Sequence, residues 1–416
     1  MLVGCGDLGE RHVAEGVPHL ERLVLRNLSI DNDDLSAIGA LAALRHVEFD
    51  RVRTQGDIST SVATTAPVRS LVLRDLPPRS LLVDLVATWS KSLTSLSLEG
   101  QWADSRTLLA TKRAMGLERL EVLGTRAGNY GLHALAAHDA LREIRLSGSG
   151  FTDATPLYLR NLPIERFECE CPRLGDVGVG HLRFLDRLTH VALVEPAASP
   201  AGLARLGRVS SLRSIVLDGV ELDDGTIAAW GALPDLTSLR IDSGRVALTT
   251  LAPLAGARKL ETLVLRATDL GDTTVATLPA FANLTRLDLS NTSVGDRSLP
   301  AIARSGPLED LDLSGTRVTR RLEPLAALRT LRSLRLAETD VVDDGIRAIG
   351  PLPHLEHLDL RATLVSDAVL DALATFGHLR TVDLRDTSVD PERARRILGA
   401  RGIEVRTGPS VDTRGH

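Results

Sequence analysis

Aromatic residues are nearly missing from this chain: six phenylalanines, three tryptophans and two tyrosines among 416 residues. A platform that stacks nucleobases is built from such rings, so their scarcity argues against a single-strand nucleic-acid binder. Lysine is scarcer still, confined to Lys91, Lys112 and Lys259, which leaves 46 of the 49 basic residues as arginine. That skew is the mark of a GC-rich bacterial coding sequence. The formal net charge of -5 and a pI near 6.1 further oppose general nucleic-acid binding. Three cysteines, Cys5, Cys169 and Cys171, are too few for a disulfide framework. No apolar run approaches the roughly 20 residues of a membrane span. Met1 is followed by two apolar residues, without a charged region and a longer apolar one, so no secretory signal is legible. The expected compartment is the cytoplasm.

What the chain has instead is repetition. From Leu284 it reads LTRLDLSNTSVGDRSLPAIARSGP, LEDLDLSGTRVTRRLEPLAALRT, LRSLRLAETDVVDDGIRAIGPLPH, LEHLDLRATLVSDAVLDALATFGH and LRTVDL. The first position of each unit falls at Leu20, Leu44, Val68, Leu93, Leu117, Leu141, Ile164, Leu188, Leu212, Leu236, Leu260, Leu284, Leu308, Leu331, Leu355, Leu379 and Ile403. Of the sixteen intervals thirteen are 24 residues, two are 23 and one is 25. The frame L-x-x-L-x-L-x-x-T-x-V resembles the leucine-rich repeat, in short bacterial form with Thr where the eukaryotic pattern has Asn or Cys. The match spans nearly the whole chain, at 20–406, with a partial repeat at 1–19 and a disordered tail at 407–416.

Positions 4 and 6 are apolar almost throughout, and that period of two predicts a short strand with one face inward. Position 13 is Asp at Asp153, Asp176, Asp224, Asp272, Asp296, Asp343 and Asp367, and Asn at Asn32 and Asn129. Those residue types predict helix N-caps. Apolar residues follow at positions 16, 19 and 22, as in Ile227, Trp230 and Leu233, which puts one stripe of a short helix on the core. Thr fills position 9 in six successive repeats, Thr268, Thr292, Thr316, Thr339, Thr363 and Thr387, where a hydroxyl can satisfy buried turn backbone. The region from Arg53 to Pro67 and the pair Pro77-Pro78 predict distorted connections without a domain boundary.

Strands stack about 4.8 Å apart whereas helices need roughly 8–10 Å, so the strand side is expected to be concave and the helix side convex. The predicted fold is an α/β right-handed solenoid, a horseshoe with a parallel concave sheet and short convex helices. At the N-terminus, Gly4, Gly6 and Gly9 spell a dinucleotide fingerprint, but only three residues precede it and no βαβ unit follows. Leu2-Val3-Gly4-Cys5 also looks like a lipobox without the segments that deliver one. The preferred reading is the second half of a repeat, the chain beginning mid-coil. Neither end shows a polar cap, which predicts a paired end or a longer protein.

Positions 3, 5, 7 and 8 point out of the concave face. Position 5 places Asp288 beside Asp312 as like charges on neighbouring strands, with Asp310 at position 3, and carries Asp359 and Asp383 further on. Arg286, Arg335, Arg361 and Arg385 stand close enough to neutralise part of this patch. With His357 these ten residues form the candidate partner site, for a protein with a basic patch. His354, His378 and His357 could be combined into a zinc site only if His357 left the concave face, so they read as surface histidines. Cys169 at inward position 6 and Cys171 at position 8 read as a core thiol and a surface thiol. No nucleophile–base grouping, phosphate loop or cofactor site can be assembled in this register.

The resemblance implies a non-enzymatic recognition surface that binds protein along the concave face, as in ribonuclease-inhibitor-like repeats, with no cofactor, nucleic acid or membrane. Two alternatives stay open. One is the ligand-sensing repeat segment of a larger signalling ATPase, which an upstream P-loop would decide. The other is a substrate-recruiting adaptor of the ubiquitin-ligase type, which needs a helical docking module ahead of the repeats.

Overall fold

The computed structural model describes residues 2–4, 19–55, 65–78 and 80–409, with side chains described from residue 19 onward except at residue 81. It contains two compact units, Met1–Ala198 and Ser199–His416. Among the described residues each unit carries nine strands of a parallel sheet. In the second unit these run from Ser214–Asp223 through Arg286–Asp288 and Asp310–Asp312 to Glu404–Arg406. Short helical turns, many of them 3-10, follow the strands on the other side.

The alternation of apolar positions sets this arrangement. Leu287, Leu311 and Leu334 at position 4 and Leu289, Leu313 and Leu336 at position 6 are at most 1% exposed. The helix stripe meets them: Ile227, Trp230 and Leu233 are equally buried, and the Trp230 indole N–H donates to the Leu203 carbonyl at 3.2 Å. A tryptophan is tolerated in such a core because its one polar atom is satisfied.

The threonine expectation holds in detail. Oγ1 of Thr268, Thr292, Thr316, Thr339, Thr363 and Thr387 each donates to the carbonyl three residues earlier, at 2.5–3.0 Å. Just before it, position 8 has a feature the residue types conceal. Asn291 (φ 56°), Gly315 (64°), Glu338 (58°), Ala362 (54°) and Asp386 (57°) are all left-handed, as are Asn27, Arg51 and Asp75 in the first unit. The chain turns out of the strand there, and non-glycine residues accept a cost of about 1–2 kcal/mol to do so.

Position 13 requires a correction. Asp272, Asp296, Asp343 and Asp367 open their helices at the first helical residue, and the N-cap is position 12. Their carboxylates instead reach the following coil. Asp272 accepts from Gly295 N–H at 2.7 Å, Asp296 from Thr319 N–H at 2.7 Å, Asp343 from Ser366 N–H at 2.8 Å and Asp367 from Asp390 N–H at 2.7 Å. Asp153 does the same to Gly175 in the first unit, at 2.6 Å. A carboxylate on a helix's first turn also favours the positive end of its dipole. The aspartates thus lace coil to coil.

Cys171 is a second correction. It is 1% exposed and joined to Cys169 as a disulfide, with Cα atoms 5.3 Å apart. Cys171 is absent from the left-handed residues that mark this position in the coils around it, and Pro172 follows it. The strand-end path that aims position 8 outward elsewhere does not apply there.

Two register details also differ from the counting. Leu2–Gly4 is a strand in register with Leu23–Leu25, so a strand stands where a mid-coil start was expected; residues 5–18, with the rest of the glycine motif, lie outside the described residues. At the other end Asp383 pairs with Arg406, not with Thr407. The last interval is therefore 23 residues, and Val405 rather than Arg406 continues the fourth-position row, with Ile403 still buried.

Candidate interaction surface

From Arg286 to Asp383 the strand face of the second unit is built from three-residue strands, each presenting positions 3 and 5 outward around a buried leucine or valine. Arg286 stands in register with Asp310, and Asp288 with Asp312. Asp312 then pairs with Arg335, Arg335 with Asp359, and Asp359 with Asp383. Eight of the ten candidate residues are thus brought onto one face, and Arg361 and Arg385 follow just past the ends of their strands. Four arginines meet five aspartates there, so the patch is patterned more than it is acidic.

Asp310 is clasped from both sides, by Arg286 at 3.2 Å and Arg335 at 2.8 Å. Arg335 also reaches Asp312 at 3.6 Å. Arg385 holds Asp383 through three bonds of 2.5–3.0 Å, while the Arg361 guanidinium turns away to Glu338 at 3.8 Å. His357 Nδ1 lies 2.8 Å from Thr381 Oγ1. The His354 and His378 rings stand 6.2 Å apart between centroids, and among the described residues no three ligand-type side chains gather round a metal position.

The aspartates have a second employment that residue counting missed. Oδ1 of Asp288, Asp312, Asp359 and Asp383 accepts the backbone N–H two residues on, at 2.9–3.1 Å. Such local bonds end the strand after three residues. The signal was in the sequence: Asp at position 5 coincides with the threonine-marked turns. One oxygen of each carboxylate is therefore structural, and the other remains for ion pairs or a guest. Burial pushes the Asp312 carboxyl above its ordinary range, and the neighbouring Asp288 carboxylate adds to this against the Ser314 bonds and Arg335. Burial acts on Asp383 in the same sense, but the bonds and charge of Arg385 outweigh it and hold that carboxyl low.

The first unit's strand face is arranged otherwise. Arg119, Glu143 and Arg166 alternate down position 3, and Glu121, Arg145 and Glu168 alternate down position 5. Each charge has opposite neighbours, as in Arg119–Glu143 at 2.5 Å and Arg145–Glu168 at 3.6 Å. Glu48, only 4% exposed, is covered by Arg26 at 3.2 Å and Arg74 at 2.9 Å. That face neutralises itself.

The strand face of the second unit holds a shallow depression of about 180 Å³ over Arg335, His357, Asp359, Thr381 and Asp383. Larger grooves, of about 940 and 670 Å³, lie in the first unit beside Pro77 and Pro78. Their walls contain no histidine, cysteine or lysine, and Asp104 is spent capping its own helix.

No protein-family model matches the chain, and no curated protein does. Solved structures match its fold. A leucine-rich-repeat protein of Leptospira interrogans superposes with a TM-score of 0.57 at 15% identity, over 95% of this chain and 98% of its own. The TLR13–ssRNA13 complex gives 0.65 at 18% identity, over 94% of this chain and 64% of that one. The Drosophila Toll–Spatzle complex gives 0.54 at 14% identity, over 94% and 58%. With the parallel sheet and its short helices, these likenesses establish an α/β leucine-rich-repeat solenoid. Among the described residues no helix is long and apolar enough to cross a membrane.

Proposed function

We propose that this chain is a non-enzymatic scaffold that docks a protein partner on the concave strand face of its second unit. The observation that carries the reading is the contrast between the two faces. Charges alternate to neutrality in the first unit, whereas Asp288 faces Asp312 and Asp359 faces Asp383 in the second. Opposed like charges cost about 0.2–1 kcal/mol per pair, a cost that a cationic guest relieves. The shallow depression supports docking over catalysis, since small-molecule sites run to roughly 300–1,000 Å³ with convergent polar groups. Five carboxylates interleaved with four arginines offer no continuous cationic track for a phosphate backbone, which favours protein over nucleic acid as the guest. The solved neighbours include complexes with a protein and with RNA, so binding itself is common ground for the fold. The Cys169–Cys171 bond favours an oxidising compartment over a cytoplasmic one.

The test is capture from the native organism with the chain as bait, read by mass spectrometry. Replacing Asp288, Asp310 and Asp312 together by Asn keeps the Asx acceptors and the fold, and is expected to abolish capture. Unchanged capture by that variant moves the site elsewhere.

A further inference from the structure

The fifth-position row of the second unit has an order beyond its net charge. In register from strand to strand it reads Asp288, Asp312, Arg335, Asp359, Asp383, Arg406, which is Asp-Asp-Arg twice over. The repeat closes only because the last coil is 23 residues long and brings Arg406 into line.

Strands stand about 4.8 Å apart, so the centre of each aspartate pair lies about 7.2 Å from the arginine beside it. Seats of alternating sign thus recur every ~7.2 Å along the row, and somewhat closer at side-chain tips that converge over a concave face. Side chains on one face of an extended chain repeat every ~6.6–6.8 Å. On a helix, neighbours along one face are about 5–6 Å apart and fall out of step with these seats by the third.

Building on the strand-face reading above, we infer that the partner presents an extended segment, laid across the strands, whose alternate residues run cation, anion, cation, anion. Cations sit over Asp288–Asp312 and over Asp359–Asp383, and anions meet Arg335 and Arg406. The seats are unequal. Arg385 already holds Asp383, so a guest cation competes at the second seat. Arg335 leans on Asp310 at 2.8 Å and Arg406 on Glu404 at 3.1 Å, and both must swing toward the guest. These arginines are each partly exposed, and such surface pairs exchange at little cost.

The test uses labelled synthetic peptides, read by fluorescence anisotropy at low salt against the full chain. One repeats Arg-Thr-Glu-Thr; a second has the same composition with its charges in blocks; a third carries the same charges on a stapled helix. The alternating peptide is expected to bind about tenfold more tightly than the other two. Arg385→Gln should strengthen it. Arg335→Glu with Arg406→Glu should shift the preference to a peptide repeating Arg-Thr, with circular dichroism confirming that each variant is folded. Equal affinities, no binding of any peptide, or a preference for the helix overturns the inference. Capture lost in the triple Asp→Asn variant without peptide discrimination sinks the extended guest and keeps the surface. Capture that survives the triple variant sinks the surface itself.

Discussion

Removing the Asp272 carboxylate distinguishes lacing between coils from simple helix capping, because the two place the damage 20 residues apart. Its Oδ1 accepts from Gly295 N–H at 2.7 Å and from the Ser298 hydroxyl at 2.6 Å, and Ser298 is fully buried. Hydrogen bonds to a charged group contribute about 1.5–3 kcal/mol each, and two lost together are not fully additive. Asp272→Ala is therefore expected to cost roughly 3 kcal/mol in urea unfolding, and Asp272→Asn about 1, since an amide oxygen still accepts. Native-state hydrogen exchange locates the loss. The prediction is faster exchange at Gly295 and its neighbours, with Thr274 and Val275 little changed. Were Asp272 the cap of its own helix, those last two amides would lose protection and Gly295 would not. That pattern, or an Ala variant as stable as the wild type, refutes the lacing.

Thr339→Val keeps the shape but leaves the buried Leu336 carbonyl without its 2.6 Å donor, and should cost about 1–3 kcal/mol by urea unfolding. Ala362→Gly relaxes a left-handed residue at φ 54° and should raise stability by about 0.5–1 kcal/mol, net of the glycine's unfolded-state entropy. Asp312 keeps its proton to higher pH when folded than when unfolded, so its penalty is absent below the unfolded value of about 3.9 and complete above the raised folded one. Stability lost to Asp312 thus grows as pH rises through that window. Asp312→Asn should match wild type near pH 3 and exceed it at pH 7 by roughly 0.2–1 kcal/mol, measured by thermal unfolding.

The solenoid was legible because its physics is periodic. Inward leucines recur every second residue of a strand and again in every coil, and stacked coils bury that pattern as one continuous core. The threonine bonds were legible for the same reason. Position 8 was not, because Asn, Gly, Glu, Ala and Asp share no chemistry there; they share a backbone angle. Position 13 was misread because Asp is a good cap in general, and nothing local says that its carboxylate is nearer the following coil than its own helix. The aspartates of the strand face were placed correctly, yet their bonds to Ser290, Ser314, Arg361 and Arg385 N–H depend on strands only three residues long. Arg406 was missed by a single residue of register, and a slip of one turns a side chain to the opposite face.

That register is also where the docking surface is most directly tested. In a Cys5→Ser background, Asp383→Cys combined with Arg406→Cys places two thiols on adjacent strands in register, within the 4.4–6.8 Å Cα range that a disulfide bridges. Asp383→Cys with Thr407→Cys is the pair that an unbroken 24-residue beat would have aligned. Mass spectrometry after mild oxidation should find the first pair bonded and the second free. Bonding of the second pair and not the first would remove Arg406 from the row and contradict the charge pattern on which the partner's recognition depends.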